Sequence, residues 1–155
     1  CKMKKFTTYD VKLVKQECKL YDLPSNKANS STAASKIIQT VLDLNSSTVE
    51  KFGILCLDTQ LKVIGIHIIS VGTLTEAVVD MRGIFQRAIL NNARSLILFH
   101  NHPGGSSKPS PEDVALTKRV KDAGKLLDII VNDHIICYED DCGAGYTSLA
   151  EEGLM

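Results

Sequence analysis

Apolar side chains recur at helical spacing in three stretches of the chain, which predicts amphipathic helices over 32–44, 81–93 and 111–127. The apolar stripe of the first helix consists of Ile37, Ile38, Val41 and Leu42. Asp80 stands where it could cap the second helix. The positions of that helix expected to face inward are Ile84, Phe85, Ala88 and Ile89. Each helix therefore has one face to bury against another layer of structure.

Between these helices lie short runs rich in Ile, Val and Leu, which are typical of β-strands. The predicted strands are 51–57, 61–71, 95–100, 129–138 and 145–149. Only Asp58-Thr59-Gln60 separates the first two, which favours a β-hairpin. Near the N-terminus, residues 6–16 place Val11 and Leu13 in alternation, a pattern compatible with an edge strand.

The interleaving of strands and helices predicts an α/β fold with a mixed sheet in two or three layers. With 155 residues, the chain is long enough for one domain with a proper core. The polar, turn-rich segment 23–31 predicts a boundary. We therefore expect an N-terminal strand or arm and linker over residues 1–31 and the main domain over 32–155.

Composition is that of a soluble globular protein, with 44% hydrophobic and 23% charged residues. No apolar run approaches the roughly 18 residues that span a membrane, and no signal peptide is evident. Lys plus Arg equals Asp plus Glu at 18 each, which makes a nucleic-acid partner unexpected without excluding it. Residues 1–30 nevertheless carry seven lysines against three acidic residues. The five cysteines form no CxxC pair, which predicts free thiols and a cytoplasmic location.

The candidate chemistry lies at the end of the predicted strand 95–100, where His100 and His102 stand two residues apart. Side chains at i and i+2 of a strand point to the same face, so both imidazoles can reach one point in space. Two neutral imidazoles and a carboxylate make a typical open catalytic zinc site.

Asp113 is the candidate carboxylate for this site. It heads a helical stripe whose other members are Leu116, Val120, Ala123 and Leu127. A carboxylate on a core-facing stripe costs free energy unless a charged or hydrogen-bonding group meets it. A metal ion held by His100 and His102 would meet it.

Ser110, Pro111 and Asp113 also have a purely structural explanation, because they are typical of the first residues of a helix. Ser110 would be the N-cap and Pro111 the first helical residue. The two explanations are compatible, since a cap fixes where the helix begins and therefore where Asp113 points.

The pattern His100-x-His102-x7-Ser110-x-x-Asp113 matches the whole JAMM (MPN+) metalloprotease motif. From about residue 32 to its end, the chain resembles the RadC-like branch of that family, including EKFGILCLD at 50–58, SLILFHNHP at 95–103 and DHII at 133–136. It is similar to the short RadC-like proteins of bacterial mobile elements, in which the helix-hairpin-helix segment of longer relatives is absent. The resemblance implies a JAMM/MPN-type, cytidine-deaminase-like fold, with a curved mixed sheet flanked by helices.

The resemblance also implies a zinc-dependent hydrolase that cleaves a peptide or isopeptide bond in a protein or peptide substrate. His100, His102 and Asp113 match the zinc ligands. Glu50 matches the general base that later acts as an acid, and Ser110 matches the serine that polarises the carbonyl or holds the oxyanion. The role of Glu50 rests on the resemblance alone, because it otherwise looks like an ordinary surface glutamate in a polar connector.

Several alternatives stay open at the level of sequence. A DNA-associated factor, as the DNA-repair label of RadC-like proteins suggests, is favoured only by the basic N-terminal residues. A binding module could also keep the metal and lack catalysis. We expect His134 to be a core histidine bonded to backbone rather than the partner of a metal ligand. An edge strand over residues 6–16 could pair with a second chain and make a homo-oligomer.

Overall fold

A computed structural model describes residues 4–72 and 79–155 of the chain. The helices in these ranges are α1 (Ser31–Leu42), α2 (Met81–Leu90) and α3 (Pro111–Leu126), and a short 3₁₀ helix covers Leu44–Ser46. The strands are β1 (Lys51–Leu57), β2 (Val63–Val71), β3 (Ser95–His102), β4 (Ile130–Asp140) and β5 (Gly143–Ser148). The helices and strands predicted beyond residue 31 are confirmed with shifts at their ends. In the same ranges, no helix combines the length and the apolar character needed to cross a membrane.

The strands form one open mixed sheet in the order β2-β1-β3-β4-β5. β3 and β4 run parallel and are connected through α3, whereas the other neighbours are antiparallel. The predicted hairpin is confirmed, because β1 and β2 pair along their lengths. The strands β1 and β3 are buried on both faces of the sheet, which explains their continuous apolar runs.

Helices cover both faces of the sheet, so the fold has three layers. On one face, Ile37 and Ile38 of α1 pack with Leu55 and Phe99. The opposite face packs against α2 and α3 in a second cluster, whose members include Phe52, Ile54, Ile84, Leu98, Leu116 and Val120. The alternation of side chains along β1 and β3 divides them between the two clusters. The α/β class with a mixed sheet flanked by helices is therefore confirmed.

The edge strand predicted for residues 6–16 is wrong, because these residues have no regular secondary structure. Val11 and Val14 are 65% and 71% exposed, so the alternation has no buried face to define a strand. Pairing of this segment with a second chain stays a prediction. Contacts with the main body include the bond from the Tyr21 hydroxyl to the Val41 carbonyl at 3.5 Å and the bridge between Lys27 and Lys62 just before β2.

Two predicted details of the helices are wrong, and a third, the cap at Asp80, is confirmed in position only. Ile89 is 59% exposed, because it lies about 100° around the helix from the buried Ala88. Leu127 is 47% exposed, because α3 ends at Leu126 and helical spacing no longer applies beyond it. Asp80 occupies the N-cap position of α2, but its side chain makes no capping hydrogen bond.

The close approach of β1 to Phe99 predicts that Gly53 does not tolerate a larger residue. A Cβ on Gly53 would collide with the Phe99 ring and with the backbone oxygen of His67. We expect Gly53→Ala to destabilise the protein by about 1–3 kcal/mol in urea unfolding, as overpacking of a core does. Gly104→Ala is the control, because a Cβ there would have no described atom within 4 Å. Equal stability of the two variants would contradict the packing described for β1.

Candidate metal centre

The C-terminal end of β3 brings two imidazoles together. The Nε2 atoms of His100 and His102 lie 2.9 Å apart. The side chain of His100 is fully buried, whereas that of His102 is 15% exposed. Both side chains point towards α3, because they continue the alternation of Leu96 and Leu98 along the strand. The pair of nitrogen atoms is therefore shielded from solvent at His100 and partly accessible to solvent at His102.

Asp113 meets this pair from the first turn of α3. Its Oδ1 lies 3.2 Å from His100 Nε2, and its Oδ2 lies 3.5 Å from His102 Nε2. A capping box fixes the carboxylate: the Ser110 hydroxyl accepts from the Asp113 amide at 3.1 Å, and Asp113 Oδ2 accepts from the Ser110 amide at 2.7 Å. Both explanations offered by the sequence therefore describe the same geometry, in which the cap aims Asp113 at the imidazoles.

The electrostatics of the cluster keep the carboxylate ionised. Burial raises the pKa of Asp113, but hydrogen bonds from His100 and His102 outweigh it and hold the pKa well below its ordinary value. The hydrogen bond to Asp113 raises the pKa of His102, against the opposing effect of burial. A nearly buried negative charge that faces two nitrogen atoms is an environment that favours a cation.

The donor atoms fit a zinc ion in spacing and in chemistry. His102 Nδ1 lies 2.8 Å from the Ser106 carbonyl, which can only accept, so Nδ1 carries a proton. In the neutral ring that binds a metal, Nε2 is then the nitrogen with the lone pair. Zinc–ligand bonds of about 2.0–2.1 Å in a tetrahedron set the donors about 3.4 Å apart. The two Nε2 atoms lie 2.9 Å apart, and the Asp113 carboxylate has Oδ1 3.2 Å from one of them and Oδ2 3.5 Å from the other, so all three contacts are of this size.

Glu50 also lies close to the imidazole pair. One ligand atom each from Glu50, His100 and His102 lie within 4.8 Å of one another, so this group could also hold a metal ion. Glu50 comes just before β1, and Phe52 pairs with His100 across the sheet. Two residues earlier on an antiparallel strand, Glu50 is level with His102. Its side chain is partly exposed, as is that of His102.

Asn101, between the two histidines, is a functional candidate that the sequence reasoning missed. Its buried side chain accepts from the Lys51 amide at 2.7 Å and donates to the Val49 carbonyl at 3.1 Å. The amide thus bridges the backbone on both sides of Glu50 and extends the β1–β3 ladder beyond its last backbone pair. The one feature of the sequence that could have indicated Asn101 is its position between the two histidines, which places it on the opposite face of the strand.

The expectation for His134 is wrong. Its ring bonds to side chains: Nε2 lies 2.8 Å from His100 Nδ1, and Nδ1 lies 2.6 Å from Thr117 Oγ1. The ring is fully buried, and burial holds its pKa well below the ordinary value. His134 is therefore a partner of His100, a contact that requires the β3–β4 pairing to be known.

The described cysteines lie outside the cluster of imidazoles and carboxylates and are free thiols. Cys56 and Cys137 are buried, and burial raises the pKa of each to about 12. Both thiols therefore stay protonated at neutral pH, which is unfavourable for metal binding and for nucleophilic attack. Cys1 lies outside the described residues.

Comparisons with known proteins show which family the chain resembles. A family model described as RadC-like JAB domain matches residues 28–154. A UPF0758 protein of Thermosynechococcus vestitus is 43% identical over 109 residues, which cover 70% of this chain and 42% of the relative. A UPF0758 protein of Thermotoga maritima is 39% identical over 129 residues, which cover 83% of this chain and 55% of the relative. The chain spans about half the length of the curated relatives it matches.

The two hydrogen bonds of Asn101 predict that this side chain holds the Glu50 segment in place. We expect Asn101→Ala to speed hydrogen exchange of the Lys51 amide and to destabilise the protein by about 1–3 kcal/mol, because buried backbone groups lose their partner. Asn132→Ala is the control, since Asn132 is exposed and bonds only to Ser95 Oγ among the described contacts. Unchanged exchange at Lys51 would contradict the bridging role.

Proposed function

The chain belongs to the RadC-like JAB domain family, and we propose that it is a zinc-dependent hydrolase that cleaves a peptide or isopeptide bond in a protein or peptide substrate. One observation carries the proposal: two imidazole nitrogens and a buried carboxylate make contacts of 2.9–3.5 Å beside a second, partly exposed carboxylate. The free thiols of the described cysteines favour the reducing cytoplasm as its location.

His100, His102 and Asp113 are the ligands in this proposal. Asp113 is preferred to Glu50 as the third ligand because its oxygens lie 3.2 and 3.5 Å from the two Nε2 atoms and its carboxylate is fixed by the helix cap. When bound there, zinc would supply a Lewis acid that polarises the scissile carbonyl and lowers the pKa of water to about 7. The partly exposed edge at His102 is the side from which a substrate can approach.

Glu50 handles the proton. Its carboxylate borders the imidazole pair without belonging to the tightly fixed ligand set, so it can take a proton from the attacking water. The same carboxyl then gives that proton to the leaving amine nitrogen. The Asn101 bridge fixes the backbone on both sides of Glu50, which limits the positions that the carboxylate can reach.

Ser110 stabilises the negative charge that develops on the carbonyl oxygen. Its hydroxyl oxygen accepts from the Asp113 amide, so the hydroxyl proton is the part that can point to the substrate. The cap fixes this oxygen relative to Asp113, and a donor fixed in advance is most effective for an oxyanion. One helix start therefore positions both a ligand and a donor.

The ligand assignment predicts different metal contents for two carboxylate variants. By mass spectrometry of purified protein, we expect about one zinc per chain in the wild type and in Glu50→Gln, and a large loss in Asp113→Asn. Glu112→Gln is the control, because Glu112 is an exposed acid in the same first turn. A loss of zinc in Glu50→Gln as complete as in Asp113→Asn would make Glu50 a ligand instead of the base.

The proposed catalytic roles predict losses of hydrolysis without loss of zinc. In a screen of fluorogenic peptide and isopeptide substrates, we expect Glu50→Gln to abolish cleavage and Ser110→Ala to reduce kcat by about 10²–10³-fold. Ser110→Thr, which keeps a hydroxyl and a cap, should retain most of the activity. Hydrolysis that is intact in Glu50→Gln would refute the mechanism. A wild type that binds zinc but cleaves no amide would favour a non-catalytic binding module.

A further inference from the structure

A chain of buried hydrogen bonds leads from the backbone of α3 to His100. Thr117 Oγ1 lies 2.6 Å from the Asp113 carbonyl oxygen and 2.6 Å from His134 Nδ1. The other nitrogen of that ring, His134 Nε2, lies 2.8 Å from His100 Nδ1. Thr117, His134 and His100 are all fully buried, so water does not compete for these bonds.

The first two bonds fix the proton on His134. A backbone carbonyl can only accept, so the bond at 2.6 Å between Thr117 and the Asp113 carbonyl uses the single hydroxyl proton of Thr117. Such a bond to the carbonyl four residues earlier is common for threonine in helices. The proton in the second bond must therefore come from His134 Nδ1, which donates to Thr117 Oγ1.

The third bond then fixes the proton on His100. A fully buried imidazolium costs free energy, so His134 with its proton on Nδ1 has a bare Nε2. That nitrogen can only accept, and His100 Nδ1 must donate to it. A neutral His100 with its proton on Nδ1 has a lone pair on Nε2, the atom that faces His102 and Asp113.

We propose that Thr117 and His134 are positioning residues that lock His100 in the tautomer whose Nε2 can bind metal. This inference rests on the proposed metal site. If Thr117 could not accept, His134 could carry its proton on Nε2 and donate to His100 Nδ1. His100 would then carry its proton on Nε2, which blocks the ligand atom.

The two imidazoles reach the same tautomer by independent means. His102 donates from Nδ1 directly to the Ser106 carbonyl in the loop after β3. His100, which lies deeper, has the His134 ring between it and its acceptor. Partners of this kind orient a ligating histidine and contribute roughly 10–100-fold to metal affinity. We therefore expect Thr117 to influence zinc binding although it touches no ligand atom.

The test compares Thr117→Val with Thr117→Ser in zinc competition against a chromophoric chelator. Valine keeps the shape of threonine but cannot accept from His134, whereas serine keeps the hydroxyl. We expect the zinc Kd to rise about 10–100-fold in Thr117→Val and to stay within a few-fold of the wild type in Thr117→Ser. Wild-type zinc affinity in a folded Thr117→Val protein would overturn the proposal, as would an equal loss in both variants.

A second measurement needs no variant and no metal. Two-bond ¹⁵N–¹H correlation spectra of the metal-free wild type report which nitrogen of each histidine is protonated. We expect Nδ1 to be protonated in both His134 and His100, and a proton on His134 Nε2 would overturn the proposal. Because these spectra read the tautomers directly, they decide the matter even if the wild type binds no zinc and the proposed function fails.

Discussion

The buried contact between the Asp113 carboxylate and the two imidazoles is the interaction on which the rest of the site depends. A carboxylate that is 5% exposed would destabilise a core-facing position if it stood alone. Here it has two duties at once, as the acceptor of the helix cap and as the negative partner of His100 and His102. The start of α3 and the geometry of the site are consequently one structural feature, and a shift of the helix by one residue would undo both.

The topology explains how few segments are needed to build the centre. The consecutive unit β3–α3–β4 supplies the imidazoles, the carboxylate with its cap, and the His134 ring that supports His100. Parallel pairing of β4 with β3 places His134 opposite Leu98, so that it lies on the neighbouring strand within reach of His100. Glu50 comes from the neighbouring strand on the other side, where the Asn101 amide holds its backbone. The candidate site residues and the residues that hold them in place thus lie on or next to the same three strands, β1, β3 and β4.

The sequence was most informative where one local periodicity decides the outcome. The i and i+2 spacing of His100 and His102, and the helix-start pattern at Ser110 and Asp113, each predict a geometry that the structure reproduces. Contacts that depend on pairing between distant residues were missed. His134 lies 34 residues from His100 in the sequence. Asn101 bonds to the backbone of Lys51 and Val49, which precede it by 50 and 52 residues. The strand prediction for residues 6–16 was wrong because alternation of apolar residues does not specify a strand when no partner strand is present.

The most direct test of the central claim is X-ray absorption at the zinc edge of the purified protein. The account predicts four nitrogen or oxygen ligands at about 2.0–2.1 Å, with the outer-shell scattering of two imidazoles. A sulfur ligand at about 2.3 Å would contradict it, because the buried thiols Cys56 and Cys137 are held protonated and take no part in the cluster. Protein that retains no zinc after exposure to the metal would contradict it equally.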